Sequence, residues 1–435
     1  MTYVITQNCC NDASCVAACP VGCIHPTPDE PGFGTAELLH IDPATCIDCG
    51  ACADACPVDA IRPDTALTPA TRPYLQINAA YYQDRPTSPT FQRRQPFRLV
   101  TSRSQPLRVA VVGSGAAGYY CAKELLVEPG VEIDMYERLP EPFGLIRFGV
   151  APDHAATRAV VNQFRWSAEK QRRFRLHLDT EVGVDISHDQ LLADHHAVIY
   201  AYGAFNNRRL GIPGEDLPGS MSAGEFVGWY NGHPDHRALE PDLSSGRVVV
   251  IGNGNVALDV ARILVSDPDE LACTDTAQYA VEALRASQVD EVIILGRRGR
   301  EDASFTAPEL LGLQQVPGVN RITFRFHAPP AEIIGDERVR GVRIAGGEVI
   351  EAGLVIRAIG FEGRPMPGVP FDPVKHTIPH VGGRVMPRVY TAGWIKRGPT
   401  GVIGTNRTCA QETVGHLLDD YLAGILTVPS LVGAT

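Results

Sequence analysis

The spacing of the cysteines constrains the fold of this chain more than any other feature. Nine of the 12 cysteines lie between positions 9 and 56, and four of them form the run Cys46-x2-Cys49-x2-Cys52-x3-Cys56-Pro57. This is the spacing of a bacterial two-cluster ferredoxin, in which three close thiolates bind one iron–sulfur cluster and the fourth binds the other. Zinc is the alternative, but one tetrahedral zinc ion needs only four ligands. The N-terminal part is therefore predicted to hold iron–sulfur clusters.

The first half of this cysteine pattern is incomplete. Cys15-x3-Cys19-Pro20 matches the end of the motif. Cys9 stands at the start of the motif, but Asp12 occupies the place of its second cysteine. A missing thiolate favours a three-iron cluster, as in the seven-iron ferredoxins that this pattern resembles. The predicted ligands are Cys9, Cys15 and Cys56 for the three-iron cluster, and Cys19, Cys46, Cys49 and Cys52 for a four-iron cluster.

Two alternatives remain open at the first cluster. Cys10 is adjacent to Cys9 and could replace it as a ligand. Asp12 could bind a fourth iron through oxygen, which would make this a second four-iron cluster. The extra Cys23, which the seven-iron ferredoxins also have, need not be a ligand.

The net charge of the chain indicates which class of partner it can bind. The formal net charge is −11, which argues against binding to nucleic acid. Residues 1–62 hold eight acidic residues and one arginine, so this segment is near −7 and suits docking to a basic redox partner. No apolar run approaches the ~18 residues needed to cross a bilayer, and the N-terminus does not read as a secretory signal. We expect a cytoplasmic protein without membrane insertion.

A glycine motif follows an apolar strand predicted over Leu107–Val112. The run Gly113-Ser114-Gly115-Ala116-Ala117-Gly118 opens a helical stretch, as in dinucleotide-binding domains. A pyrophosphate would lie at the N-terminus of that helix, where free N–H groups point at it. The next strand, predicted over Glu132–Tyr136, ends in Glu137, whose carboxylate suits ribose hydroxyls and repels a 2′-phosphate. This site is predicted to bind FAD or NAD.

A second motif of the same kind has the opposite charge. Gly252-Asn253-Gly254-Asn255-Val256-Ala257 follows a strand predicted over Val248–Ile251. The next strand, predicted over Glu291–Leu295, leads to Arg297 and Arg298, which suit the 2′-phosphate of NADP. A helical insertion at about 266–288 separates the two parts. The alternative for the arginines is a solvated basic turn.

The order of these motifs predicts the architecture. Alternating apolar strands and helical stretches imply parallel sheets covered by helices. We predict an α+β ferredoxin-like two-cluster domain followed by an α/β reductase with two Rossmann-like dinucleotide-binding domains. The predicted boundaries are an iron–sulfur domain at 1–85, a linker at 86–105, FAD-binding parts at 106–212 and 356–435, and an NADP-binding domain at 213–355. A flexible linker of this length would reach about 25 Å and allow repeated docking of the two parts.

From residue 107 onward the chain resembles the adrenodoxin-reductase-like ferredoxin–NADP reductases. The stretches that carry this resemblance are Tyr136-Glu137-Arg138-Leu139-Pro140, Gly149-Val150-Ala151-Pro152-Asp153-His154, Ile212-Pro213-Gly214-Glu215-Asp216 and Gly393-Trp394-Ile395-Lys396-Arg397-Gly398-Pro399-Thr400-Gly401-Val402-Ile403-Gly404. The resemblance implies FAD contacts at Ala117, Glu137, Leu145, Val182, Trp394, Gly401, Val402 and Ile403. It implies NADP contacts at Arg208, Asn253, Gly254, Asn255, Val256, Arg297, Arg298, Glu309 and Gly401. His154 and Glu309 would be the proton partners beside the flavin; His154 could equally be a capping or core histidine.

The resemblance also implies the reaction. We expect NADPH to deliver a hydride to FAD, and single electrons to leave through the clusters to ferredoxin or a cytochrome P450 system. An electron-input subunit of a synthase-type complex is the enzymatic alternative. A redox sensor or passive electron carrier is the non-enzymatic one, which two complete dinucleotide motifs argue against.

Overall fold

The computed structural model describes residues 2–83, 85 and 106–426. The predicted linker at 86–105 lies outside the described residues. The described chain forms two compact units. The first unit comprises the described parts of Met1–Arg147, Ala156–Asn206 and Glu362–Thr435, and the second comprises Phe148–Ala155 and Asn207–Phe361. The region predicted as a separate iron–sulfur domain thus belongs to the same compact unit as both predicted FAD-binding parts, and the second unit extends beyond 213–355 at both ends.

The iron–sulfur region is small and built from two short antiparallel pairs. Its elements are β1 (Tyr3–Ile5), α1 (Ser14–Ala18), β2 (Ile24–His25), β3 (His40–Ile41), α2 (Ala51–Asp54), β4 (Ile61–Pro63) and α3 (Pro73–Tyr81). Strand β1 pairs with β4, and β2 pairs with β3. The elements are short because the cysteine loops between them occupy much of the sequence.

Helix α3 ties the tail of this region to its strands. It begins at Pro73, where a missing N–H is tolerated. The Asn78 side chain accepts hydrogen bonds from the N–H groups of Ile5 and Ile41 and donates to the Ile5 carbonyl at 2.9 Å. Tyr74 is fully buried beside it. The segment after residue 63 therefore wraps the iron–sulfur region through one buried amide.

The chain then enters an α/β region. Its elements are β5 (Leu107–Val112), α4 (Ala116–Leu126), β6 (Val131–Tyr136), α5 (Gly144–Phe148), α6 (Ala155–Arg158), α7 (Val160–Phe164), a π-helical turn (Arg165–Glu169), β7 (Phe174–His177), α8 (His188–Asp194), β8 (Ala197–Tyr200) and β9 (Asn206–Asn207). The predicted first strand matches β5 in both bounds. Strands β5 and β8 are buried along almost their whole length, as expected of a parallel sheet covered on both faces.

The second unit contains a five-stranded parallel sheet and a three-stranded antiparallel sheet. Its elements, with β18 at its end, are β10 (Ser220–Ser222), α9 (Ala223–Tyr230), β11 (Arg247–Ile251), α10 (Asn255–Val265), α11 (Pro268–Leu271), α12 (Gln278–Arg285), β12 (Glu291–Leu295), α13 (Ala307–Leu313), β13 (Ile322–Arg325), β14 (Pro330–Gly335), β15 (Val339–Ile344), β16 (Val349–Glu351), β17 (Leu354–Arg357) and β18 (Phe361–Glu362). The parallel sheet has the order β10-β17-β11-β12-β13, and β14-β15-β16 form the antiparallel one. The predicted helical insertion corresponds to α11 and α12.

The end of the chain completes the sheet of the first unit. Its elements are β19 (Arg384–Met386), β20 (Val389–Thr391), α14 (Trp394–Arg397) and α15 (Thr405–Leu422). The sheet order is β19-β20-β8-β5-β6-β7, with β19 antiparallel to β20 and the remaining pairs parallel. Helices α4 and α15 pack together against this sheet.

The core of the first unit is continuous with the iron–sulfur region. Cys10, Val58 and Ala60 are buried in the same hydrophobic core as Tyr120 of α4 and Ala410 of α15. An apolar contact of this kind stabilises the packing of the two regions through the area that it removes from water. Within the described residues, no helix is both long and apolar enough to cross a bilayer.

Candidate functional site

The first cysteine group surrounds a cavity in the iron–sulfur region. The lining of the cavity includes Cys9, Cys10, Cys15, Cys56 and Asp12. Burial, with a smaller contribution from neighbouring thiols, raises the pKa of Cys9 to about 11 and that of Cys15 well above its ordinary value. Buried thiols that face one another need a cation to lose their protons, and a bound metal supplies that charge. The donor set fits an iron–sulfur cluster.

Asp12 stands in the place of a cysteine, and its carboxylate already has partners within the protein. Its carboxylate accepts hydrogen bonds from the Ser14 amide at 2.9 Å and from the Ser14 hydroxyl at 2.5 Å. Arg407 of α15 lies 3.8 Å from the same carboxylate. Both carboxylate oxygens therefore have protein partners.

The second cysteine group includes a thiol that motif spacing passed over. The Cys23 sulfur lies 3.4 Å from the Cys19 sulfur and is buried. A hydrogen bond from Cys23 lowers the pKa of Cys19 to about 6 and is the main cause that lowers the pKa of Cys46 to about 5. Cys23 is thus a neighbour of two predicted ligands. Cys49 is exposed and Cys52 is buried.

The first dinucleotide motif has the geometry that its glycines require. Gly113 has φ +102°, and a Cβ there would come within 2.9 Å of the backbone at Ala201. A Cβ on Gly118 would lie 2.0 Å from the Gly113 carbonyl oxygen, so this glycine allows the helix to pack closely. A Cβ on Gly115, the N-cap of α4, would meet nothing within 4 Å. That open space at the helix N-terminus is where a pyrophosphate fits.

Glu137 lies against this glycine turn. Its carboxylate accepts hydrogen bonds from the amide and hydroxyl of Ser114, at 3.0 and 2.7 Å, and from the Leu139 amide at 3.0 Å. The side chain is nearly buried. The acid is therefore oriented beside the place where the ribose of a bound dinucleotide is expected.

The remaining predicted FAD residues lie in the same unit. Gly393 packs against Ala117, because a Cβ on Gly393 would lie 2.5 Å from the Ala117 Cβ. The Trp394 indole donates to the Thr400 carbonyl at 3.0 Å, and Gly401 has φ +78° in the turn before α15. Their positions are as follows: Leu145 is 41% exposed, Val182 is buried in the hydrophobic core, Val402 donates its amide to Thr405, and Ile403 is half-buried against the core.

The second dinucleotide motif repeats this arrangement in the second unit. Gly252 has φ +118°, and a Cβ there would lie 2.2 Å from the Ala358 carbonyl oxygen. Gly254 is the N-cap of α10, and its Cβ would find its nearest neighbour 3.9 Å away. Asn255 exchanges hydrogen bonds with Thr306, accepting from its amide at 2.7 Å and donating to its hydroxyl at 3.3 Å.

The predicted 2′-phosphate residues are exposed at the end of β12. Arg297 is exposed, and Arg298 is 58% exposed with a weak ion pair to Asp302 at 3.3 Å. Arg208 is also in this unit, where its guanidinium donates to the Phe361 carbonyl at 3.0 Å. Val256 and Asn253 are half-buried near the start of α10. Two exposed guanidinium groups with little competition can bind a phosphate.

His154 and Glu309 lie close together, as the resemblance implied. A third residue, Asp259, lies beside them and was not predicted. One ligand atom each of His154, Asp259 and Glu309 lies within 4.8 Å of the others. The buried Arg262 donates to Asp153 at 2.7 Å and Asp259 at 2.6 Å. Asp259 and Arg262 lie one turn apart on α10 just after the glycines, a signal that motif spacing alone did not single out.

Burial raises the pKa of Glu309, and the negative charge of Asp259 raises it further. Arg262 lies 3.8 Å from Glu309 and favours its charged form. Such a carboxyl keeps its proton to a higher pH than an exposed glutamate does, which suits it to proton transfer.

We expect Asp259→Asn to lower the pKa of Glu309. The substitution removes a repelling charge and frees Arg262 to pair with Glu309, so both changes favour the carboxylate. The acid limb of the pH profile for NADPH-dependent kcat/KM should move to lower pH. The control is Asp269→Asn, which replaces an exposed aspartate of the same unit and should leave the acid limb unchanged. A limb that moves upward or stays fixed in Asp259→Asn would show that Glu309 does not set it.

Known proteins are similar to this chain over both its reductase part and its cysteine-rich part. Residues 107–393 match the family described as pyridine nucleotide-disulphide oxidoreductase, and residues 39–62 match the 4Fe-4S binding domain. A probable ferredoxin/ferredoxin–NADP reductase of Mycobacterium tuberculosis is 48% identical, over 99% of this chain and 85% of its own length. Human mitochondrial NADPH:adrenodoxin oxidoreductase is 39% identical, over 73% of this chain and 80% of its own. The solved structure of M. tuberculosis FprA in complex with NADPH has a TM-score of 0.70 at 40% identity, over 74% of this chain and 87% of that one.

Proposed function

This chain belongs to the ferredoxin/ferredoxin–NADP reductases, and on that premise we propose that its two cysteine groups hold the clusters through which electrons from NADPH leave the protein. The enzyme is an oxidoreductase that transfers electrons between NADPH and ferredoxin. FAD, when bound, accepts a hydride and releases electrons singly. The observation that carries the proposal is the presence of two cysteine groups in the same compact unit as the first dinucleotide motif.

The two dinucleotide sites are assigned by charge. Glu137 and the open N-cap at Gly115 support FAD in the first unit. Arg297 and Arg298 support the 2′-phosphate of NADP(H) in the second unit. The other residues assigned to these cofactors are Gly113, Ser114, Ala117, Gly118, Leu145, Val182, Trp394, Gly401, Val402 and Ile403 for FAD, and Arg208, Asn253, Gly254, Asn255, Val256 and Glu309 for NADP(H). His154 and Glu309 hold and move protons.

The first cysteine group is assigned a three-iron cluster bound by Cys9, Cys15 and Cys56. The two hydrogen bonds from Ser14 to Asp12 support this, because they leave the carboxylate oriented by its own turn. The second group is assigned a four-iron cluster bound by Cys19, Cys46, Cys49 and Cys52. Cys23, whose sulfur lies 3.4 Å from that of Cys19, is assigned as a neighbour of these ligands and not as a ligand itself.

Iron content tests the cluster assignment. Aerobically isolated protein should contain about seven irons and show the low-temperature EPR signal of an oxidised three-iron cluster. Asp12→Cys should raise the content toward about eight irons, because it restores the fourth thiolate. Asp12→Ala is the matched control and should keep the content of the unsubstituted protein. Eight irons in the unsubstituted protein, falling in Asp12→Ala, would mean that the carboxylate is a ligand.

The surface beside the second group is suited to a basic one-electron carrier. Ile47 is 58% exposed and is followed by the exposed Asp48 and Cys49. Asp54, at the end of α2, is exposed as well. An apolar centre with acidic neighbours gives contact and charge steering together.

Charge reversal tests this surface. Asp48→Lys combined with Asp54→Lys should raise the KM for cytochrome c, a basic acceptor, about tenfold at low salt, and high salt should shrink the difference. Asp29→Lys, at an exposed acid elsewhere in the iron–sulfur region, should have a smaller effect. Equal effects from both variants would indicate a general field and no local docking surface.

The function itself is tested by anaerobic NADPH titration. The absorbance of oxidised flavin should fall first, followed by that of the clusters. A passive carrier or sensor would leave both unchanged.

A further inference from the structure

The start of helix α15 contacts the first cysteine loop, residues 9–15, at backbone distance. The Gly404 amide donates to the Cys10 carbonyl at 2.7 Å. A Cβ on Gly404 would lie 2.1 Å from the Asp12 nitrogen and 2.2 Å from the Cys10 oxygen. Gly404 has φ −70°, which any residue can adopt. Glycine is therefore needed here for close approach to the loop, and the turn itself does not require it.

Arg407 makes the second part of this contact. One of its terminal nitrogens donates to the Asp12 carbonyl at 2.8 Å and to the Ser14 hydroxyl at 2.9 Å. The Asp12 carboxylate lies 3.8 Å from the same nitrogen and is almost fully buried. Hydrogen bonds from a charged donor in a buried setting are stronger than neutral ones. The Asp12 carboxylate also accepts hydrogen bonds from Ser14. Asp12 therefore stabilises both the cysteine loop and its contact with Arg407.

The surroundings of the contact are apolar. Cys10 is buried in the hydrophobic core that also contains Tyr120 and Cys409, and Ile403 packs against that core. Residues 401–403, which immediately precede Gly404, are among those assigned to FAD. The contact therefore connects the loop of the first cysteine group to the chain segment assigned to the flavin.

We propose that Gly404, Arg407 and Asp12 form a fixed joint that positions the first cysteine group on the FAD-binding part, so that the iron–sulfur region does not dock and undock during turnover. The proposal rests on the proposed function. It gives Asp12 the role of a positioning residue in the place where the second half of the motif has Cys49. It also gives the first cysteine group, and not the second, the place next to the flavin segment.

The test compares two substitutions in this joint with a matched control on the same helix. Gly404→Ala places a methyl group where the loop backbone lies, and Arg407→Ala removes the two hydrogen bonds. Gly415→Ala also adds a methyl group to α15, but that methyl meets nothing within 4 Å. Each protein is used as the loaded holoenzyme, and its flavin and iron contents are measured first.

Hydrogen exchange of peptides covering residues 9–15 and 403–409 is the first readout. Exchange should be about tenfold faster in Gly404→Ala and Arg407→Ala than in the unsubstituted protein, and unchanged in Gly415→Ala. The second readout is the rate at which NADPH bleaches the clusters in stopped flow. In the unsubstituted protein this rate should be nearly independent of salt, because a fixed contact needs no electrostatic encounter.

The outcomes separate this proposal from the function. Unchanged exchange in both Gly404→Ala and Arg407→Ala would overturn the joint, as would cluster bleaching that slows strongly with salt in the unsubstituted protein. If Gly404→Ala loses its flavin, Arg407→Ala alone decides. A failure of NADPH to reduce the flavin in the unsubstituted protein would overturn the proposed function and leave the exchange result standing.

Discussion

Replacing Arg297 and Arg298 together by alanine raises the KM for NADPH tenfold or more and leaves the KM for NADH little changed. Both guanidinium groups are exposed at the end of β12, where the ribose that carries the 2′-phosphate is expected. A charged hydrogen bond to a phosphate contributes on the order of 1.5–3 kcal/mol, and about 1.4 kcal/mol corresponds to a factor of ten. NADH has no 2′-phosphate and loses nothing. Steady-state kinetics with both nucleotides measures the difference.

The control is Arg340→Ala. Arg340 is exposed in the same unit and pairs with Asp336 four residues away, as Arg298 pairs with Asp302. Its removal changes the net charge of the unit in the same direction without touching the predicted site, so the KM for NADPH should stay close to that of the unsubstituted enzyme. Equal losses for NADPH and NADH in the double variant would contradict the assignment of these arginines to the 2′-phosphate.

Substitution of Cys52 by alanine separates the two kinds of electron acceptor. Cys52 is buried, and burial raises the pKa of its thiol to about 12, so it becomes a thiolate only with a cation beside it. Loss of this ligand should remove the second cluster. Reduction of cytochrome c should then fall at least about tenfold, equivalent to ~1.4 kcal/mol of transition-state stabilisation. Reduction of ferricyanide, which takes electrons directly from the flavin, should remain near its original rate.

Cys273→Ser is the control for this prediction. Cys273 is an exposed thiol of the second unit, outside both cysteine groups, and its substitution should change neither rate. Iron content and EPR of Cys52→Ala establish that only the second cluster is lost. If Cys52→Ala reduced cytochrome c as fast as the unsubstituted enzyme, the second cluster would lie off the main path. The iron–sulfur region would then be a sensing or docking module.

Local patterns in the sequence were sufficient to predict the strands and the cysteine groups that form the candidate sites. Strands β5 and β12 have the predicted bounds, because an apolar run that ends in a glycine turn has few other ways to pack in a parallel sheet. The two-cluster cysteine pattern predicted that Cys9, Cys15 and Cys56 lie around one cavity, because the fourth cysteine of each half binds the cluster of the other half. Family resemblance brought His154 and Glu309 to the same site.

Tertiary structure decided which groups meet when they are far apart in the chain. Asp12 stands in a cysteine's place, which suggested a ligand by its position, but its partner Arg407 is 395 residues away. The helix that carries Arg407 reaches the loop only because α4 and α15 pack on the sheet beside it. Tertiary packing likewise brings Cys23 next to Cys19, and Asp259 next to His154 and Glu309. No periodic pattern in the sequence predicts these contacts. Sequence spacing reports the geometry of one turn or one strand, whereas contacts between elements depend on how whole surfaces exclude water.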